Sequence, residues 1–251
     1  MAIPSFETAG IYGGSIYTYL EDNSGFNDAR NKALELQGGD LVAITSSGEN
    51  KFVFDVFADD KANITIGAKD VDTRAGVYSR EGLSSDTKQD FEWVALIGDN
   101  DPNTNHNVNR WNSDYHNWDS GQPNNWTNNG QQEFVEIRAS NGKWHDTATP
   151  TSTALAEAKL LSVDDPSYEQ QLRDFAPVFN NNAYLLINAP TWGQAETEAQ
   201  LLKGHVASIN NLDENNFIYD HLVKGLADGD VFIGATDKTN ENSWIWTDGS
   251  E

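Results

Sequence analysis

Apolar residues fall into a small number of patterns along this chain, and the main ones occur twice. Across FNDARNKALELQGG (26–39), Ala29, Ala33, Leu34 and Leu36 supply the closely spaced apolar positions of an amphipathic helix, which Gly38 and Gly39 then stop. Across WGQAETEAQLLKG (192–204), Ala195, Ala199, Leu201 and Leu202 do the same before Gly204. A short apolar strand follows each time, at 41–44 and 206–209, and then a polar turn. A second helix is expected next, carrying Phe52 and Phe54 in one copy and Phe217 and Ile218 in the other. The parallel extends to ITIGA (64–68) and VFIGA (231–235), each followed by an aspartate, Asp70 or Asp237. Residues 26–54 and 192–218 therefore read as an internal repeat.

Beyond the first copy, residues 154–161 predict a closing strand, although their alanines would also suit a helix. DDPSY (164–168) opens a polar linker, and 184–187 begins the second copy, which runs to WIWTDGSE (244–251). The expected division is an N-terminal extension (1–13), a first domain (14–162), a linker (163–181) and a partial second domain (182–251).

Composition narrows the field of partners. With 37% hydrophobic and 11% aromatic residues over 251 positions, the chain can bury a core. Lys and Arg number 16 against 39 Asp and Glu, a formal charge of -23, so attraction to nucleic-acid phosphate or anionic lipid is opposed over most of the surface. Such acidity keeps a secreted or salt-exposed protein soluble, and it favours cations. Cysteine is absent, which removes disulfides, thiolate metal sites and cysteine nucleophiles together. No run of about 18 apolar residues predicts a membrane span. The N-terminus shows no basic-then-apolar leader, a pattern compatible with a cytoplasmic protein, leaderless export or a piece of a longer chain.

Candidate chemistry concentrates in NWDSGQPNNWTNNGQQEFVEIRASNGKWHD (117–146). Side-chain oxygens and tryptophans gather around Pro123, and the stretch ends on Trp144-His145-Asp146. Hard cations take several oxygens from separate segments, while sugars take amide and carboxylate groups beside a flat apolar face. The alternative for residues 121–125 is an ordinary turn, which Gly, Pro and Asn all favour.

A helix, a strand, a second helix and an Ile-Gly-Ala strand, then a long Asn- and Trp-rich loop returning to a short strand, is a specific order. It resembles the C-type lectin-like domain, here in a tandem, cysteine-free, bacterial-type form with a truncated second domain. The resemblance rests on Thr65-Ile66-Gly67-Ala68 and Phe232-Ile233-Gly234-Ala235, on Gln122-Pro123-Asn124 and on Trp144-His145-Asp146. It implies an α+β fold of two helices with small antiparallel sheets and a long loop, repeated. It also implies non-catalytic carbohydrate binding at the cell surface or outside the cell, with glycans or glycoconjugates as partners. The runner-up is an adhesive domain holding a protein ligand without calcium or sugar.

By the same resemblance the Gln122–Pro123 bond is cis, and calcium ligands map to Gln122, Asn124, Gln132 and Asp146, with Glu133 able to replace Gln132. Neighbours on a strand point to opposite faces, so Gln132 and Glu133 would not both reach one ion. Gln132 stands where an acidic residue is usual and His145 where asparagine is usual, so few anionic ligands remain. The implied affinity is weak, roughly 10⁻⁴ to 10⁻³ M. Gln122, Asn124, Trp126, His145 and Asp146 are the expected carbohydrate contacts. Gln-Pro-Asn matches neither the mannose-type Glu-Pro-Asn nor the galactose-type Gln-Pro-Asp. Trp118 and Trp144 are expected to pack under the loop.

Other constellations carry less. DNDPN (99–103) mimics the opening of a calcium-binding helical loop, but Thr104 and Arg110 occupy the glycine and bidentate-glutamate positions. His106 and His116 near Asp114 read as exposed loop residues. Carboxylate pairs such as Glu133 with Glu136 or Asp146 with Glu157 give no glycosidase signal without distances. No nucleophile elbow, phosphate loop or zinc-protease helix occurs, so no catalysis is expected.

Overall fold

The structure, a computed structural model, describes residues 8–58, 62–70, 91–94, 115–124, 132–224, 226 and 230–250. Its elements begin with β1 (Ala9–Tyr12), β2 (Ser15–Leu20), α1 (Phe26–Glu35), β3 (Asp40–Leu41), α2 (Ser47–Val53) and β4 (Ile64–Asp70). Next come β5 (Phe91–Trp93), β6 (Phe134–Ile137), β7 (Trp144–Thr147), β8 (Ala154–Lys159), α3 (Tyr168–Phe175) and β9 (Val178–Phe179). The chain continues through β10 (Asn182–Ala183), β11 (Leu186–Ile187), α4 (Trp192–Leu201), α5 (Leu212–Ile218), β12 (Ala235–Thr236) and β13 (Ile245–Trp246). The fold is α+β, as the sequence implies. It divides into two compact units, one of residues 19–159 and one of residues 1–18 with 160–251.

In the 19–159 unit, α1 buries Phe26, Ala29 and Ala33, positions three and four apart on one face. Leu34, expected in that stripe, is exposed, because one residue further on the helix turns by about 100°. Helix α2 starts on a reciprocal cap: the Glu49 N–H donates to Ser46 Oγ, and Glu49 Oε2 accepts the Thr45 N–H. It runs on into a wide π-type turn over 54–58. Strand β4 is central, antiparallel to β5 and β6 and parallel to β8, while β6 and β7 form a hairpin and β3 pairs with β8. Ile64, Ile66 and Ala68 are buried, and so is Thr65 on the opposite face. Residues 154–159 are a strand, which settles the ambiguity left by the alanines there.

In the other unit, β1 and β2 form a hairpin across Gly13 and Gly14, whose φ values of 60° and 86° suit a two-residue turn that needs positive φ twice. The expected N-terminal extension thus carries a strand, which also pairs parallel with β11. The expected polar linker carries α3, an eight-residue helix that buries Tyr168, Gln171 and Phe175. Its buried face joins two aromatic residues to a glutamine, and the sequence masks it with the turn-forming residues 164–167 just before the helix. Tyr184, Ile218 and Leu222 form one apolar cluster, and Ala195, Ala199 and Val206 another. Helix α5 repeats the α2 cap, with Asn211 Oδ1 accepting the Glu214 N–H and Glu214 Oε2 accepting the Asn210 N–H, and it too enters a π-type turn, over 219–223.

Two glycines occupy matching places. The Gly67 N–H donates to Val42 O at 2.9 Å and Gly67 O accepts the Val94 N–H at 2.7 Å. The Gly234 N–H donates to Ala207 O at 2.8 Å and Gly234 O accepts the Thr247 N–H at 2.8 Å. The next residues pair in the same register, Ala68 with Trp93 and Ala235 with Trp246. Their surroundings differ: Ile66 and Phe91 are buried, whereas Ile233 and Trp244 at the matching positions are 40% and 67% exposed.

Candidate functional site

Hairpin β6–β7 fixes the site by its register, which sets Val135 opposite Asp146, Glu136 opposite His145 and Ile137 opposite Trp144. Residues 117–119 run beside β7: the Trp144 N–H donates to Asn117 O, and the Asp119 N–H donates to Trp144 O, each at 2.9 Å. Below them lies an aromatic floor. Trp118 packs on Phe91 at 5.2 Å and on Trp144 at 6.0 Å between ring centres, and Trp93 meets Trp144 edge-on at 5.9 Å. Trp144 is wholly buried and donates its indole N–H to Asn50 Oδ1 at 2.7 Å. Both tryptophans are therefore core residues, as expected of them.

The chain turns after Asp119, whose carbonyl accepts the Gln122 N–H at 3.0 Å, and the Gln122–Pro123 bond is cis. The Asp119 carboxyl is held below the usual carboxylate range, first by the Ser120 N–H and then by the nearby Arg138 guanidinium. The Asn124 N–H donates to both carboxylate oxygens of Asp146, each at 3.1 Å, although 22 residues separate them. Gln132 reaches the same place, its side-chain N–H donating to Asp146 O at 3.1 Å. Asp146 is buried. Gln122 Oε1 is buried as well, and among the described residues no donor reaches it.

Asn124 and Gln132 thus meet Asp146 on β7, with Gln122 two residues before Asn124 in the same turn, while two other expected residues are held elsewhere. Glu133 lies 3.9 Å from Lys69 Nζ. His145 leaves Asp146 because neighbours on a strand face opposite sides, and its Nε2 sits 3.3 Å from Glu136 Oε2. Trp126 lies outside the described residues, as do His106, Asp114 and the 99–104 stretch with Arg110. Among the described residues no three of His, Cys, Asp and Glu form a cluster able to hold a metal. The set around Asp146 is instead one carboxylate among amides, and amide carbonyl oxygens are of the hard type that calcium takes.

Glu136, which sequence reasoning named only as half of a carboxylate pair, is a further charged group here. It is buried, accepts the Thr151 N–H at 2.6 Å and faces His145. Burial alone would raise its carboxyl, but the His145 contact and then the Thr151 N–H hold it below the usual range. A depressed carboxyl contributes stability above its unfolded value and loses it as pH falls through the folded one. Glu136→Gln is therefore expected to cost about 1–2 kcal/mol near neutral pH and to flatten the decline in stability below about pH 4. Urea unfolding at several pH values measures this, and an unchanged acid limb would argue against it.

Comparison with known proteins finds a family match in the C-terminal part of the chain, outside the 117–146 region. Residues 188–251 match the family model of the lectin C-type domain. The type-2 ice-structuring protein of Hemitripterus americanus is 35% identical over 74 residues, 30% of this chain and 42% of that protein. An alpha-N-acetylgalactosamine-specific lectin of Patiria pectinifera is 34% identical over 79 residues, 29% of this chain and 47% of that protein. The chain thus spans less than half the length of these relatives. Among solved structures, the cow C-type carbohydrate-recognition domain of CD23, in the presence of a GlcNAc2Man3 oligosaccharide, is 22% identical, with a TM-score of 0.42 over 62% of this chain and 95% of that one. Residues 188–251 are thus similar to the lectin C-type domain, and the similar curated proteins include lectins. Among the described residues no helix is long and apolar enough to cross a membrane.

Proposed function

We propose that the 117–146 region is a carbohydrate-binding site whose ligand contact depends on a weakly held calcium ion, on an extracellular or cell-surface protein. The observation that carries this reading is the convergence of Asn124 and Gln132 on buried Asp146, together with a buried Gln122 oxygen in the same turn that no described donor reaches. Gln122 and Asn124 would offer side-chain carbonyl oxygens, and Asp146 its carboxylate, with Gln132 as the further amide ligand. The ion would supply direct coordination of a vicinal hydroxyl pair. The amide nitrogens of Gln122 and Asn124 would donate to the same sugar. Trp126 is the candidate for stacking on the sugar's apolar face. The chain is read as two lectin-like domains, 14–162 and 182–251, with 163–181 between them.

Calcium is expected to raise the melting temperature of the intact chain, and glycan-array binding is expected to vanish with chelator. A folded sample showing neither effect would remove the calcium-lectin reading. That outcome would favour the second reading, an adhesive domain that holds protein without calcium or sugar. The lone carboxylate among amides around Asp146 speaks for it, since so few anionic ligands bind calcium weakly.

A further inference from the structure

The joins of α1 and α4 to the segments that follow them are built on one plan with the charges exchanged. Gly67 and Gly234, each donating to the segment that follows a helix, align Val42 with Ala207, hence Leu41 with Val206 and Asp40 with His205. The first segment holds β3, and the second, expected as a strand over 206–209, is chain without strand pairing among the described residues. Buried Ala29 and Ala33 on α1 match buried Ala195 and Ala199 on α4, which sets Arg30 against Glu196. In the first join, Arg30 Nε and Nη2 donate to the two Asp40 oxygens at 3.1 and 3.0 Å, and Asp40 Oδ1 also accepts the Leu41 N–H at 2.8 Å. In the second, Glu196 Oε1 lies 2.9 Å from His205 Nδ1, and Glu196 Oε2 accepts the Val206 N–H at 2.9 Å. The same backbone N–H is served by a carboxylate both times. In the first copy that carboxylate comes from the strand, and in the second from the helix.

We propose that this exchange of polarity keeps each helix on the segment that follows it in its own copy while the chain folds, so that the two copies do not trade elements. The inference rests on reading the two regions as copies of one domain. Repeated domains in one chain are exposed to such trading, because each helix presents a similar small-residue face to either segment. Placing α4 on the first segment would set Glu196 against Asp40, two carboxylates competing for one N–H with no cation. Placing α1 on the second would set Arg30 beside His205 and leave the Val206 N–H without its carboxylate. Both wrong combinations are penalised by like-charge contact or a lost acceptor, and both right ones are satisfied, which is discrimination by repulsion as well as attraction.

The test uses the full chain. The variant R30E/D40H gives both copies the second polarity, and E196R/H205D gives both the first. The quadruple variant R30E/D40H/E196R/H205D exchanges polarity throughout and restores the difference. Each is unfolded in urea and diluted, and the monomeric native fraction is measured by size exclusion and tryptophan fluorescence. Both double variants should misfold roughly fivefold more than the parent, and the quadruple variant should recover the parent yield. Equal yields for parent and double variants, or a quadruple variant that fails to recover, would overturn the proposal. Melting of the never-unfolded proteins separates the two layers. If both double variants melt well below the parent, the joins are not interchangeable and the reading as copies falls with the proposal. If they melt like the parent and also refold like it, only the proposal falls.

Discussion

Gly67→Ala is expected to destabilise the protein by about 3 kcal/mol, one of the two largest effects anticipated for a single substitution. A Cβ at this position would stand 2.7 Å from Leu41 O and 2.9 Å from Val42 O. Both are backbone oxygens of a strand held by its own pairing, so neither can rotate aside, and the N–H···O contact with Val42 would have to open. The same substitution at Gly234 would drive a Cβ into Val206 O. Thermal unfolding followed by circular dichroism should show Gly67→Ala melting roughly 10 °C lower. Gly193→Ala serves as the control: no atom lies within 4 Å of its added Cβ, and in helix α4 the exchange should be neutral or stabilising by about 0.5–1 kcal/mol. A Gly67→Ala protein that melts with the parent would mean that the close approach of the two strands is not required.

Asp146→Ala is expected to remove chelator-sensitive glycan binding, lowering calcium affinity roughly 100-fold or more. Two losses combine. The only carboxylate in the set disappears, and the Asn124 N–H loses both acceptors that tie the Pro123 turn to the hairpin. The second loss should appear without calcium, as a decrease in stability of about 1.5–3 kcal/mol, the usual range for hydrogen bonds to a charged group. Calorimetric calcium titration and chelator-treated thermal melts separate the two. Retained calcium affinity in Asp146→Ala would move the ion away from β7 altogether.

The elements that sequence could reveal are those whose signal is local. Ala29 with Ala33, and Ala195 with Ala199, mark buried helix faces because a four-residue spacing returns nearly to the same side. ITIGA marks a strand covered on both faces by its continuous burial, and Gln122-Pro123-Asn124 marks the turn. The meeting of Asn124 with Asp146 followed from the order of motifs, although 22 residues separate them. What sequence could not supply was register. Glu136 and His145 become partners only once the β6–β7 pairing is known, and that pairing also turns His145 away from Asp146. The alternation argument that separates Gln132 from Glu133 applies to His145 and Asp146 with equal force. Asn50 and Trp144 lie 94 positions apart, and nothing near either announces the other. Helix α3 was hidden differently, since its eight residues bury only three side chains and sit behind a run of turn-forming residues.

The carbonyl of Gly142 has two lone pairs, and the Asn50 and Asn117 side chains donate to it at 3.2 and 2.8 Å. Asn50 belongs to α2, Asn117 to the segment leading into the Pro123 turn, and Gly142 to the β6–β7 turn. Three stretches distant in sequence therefore share one acceptor. Opening the β6–β7 turn strands both donors at once, and opening either of the other two stretches takes one donor from the shared carbonyl, so local unfolding here has no cheap first step. The entrance to the 117–124 segment should behave as part of one cooperative unit with the helix and the hairpin, a rigid footing from which a recognition loop can present its residues with little ordering cost on binding.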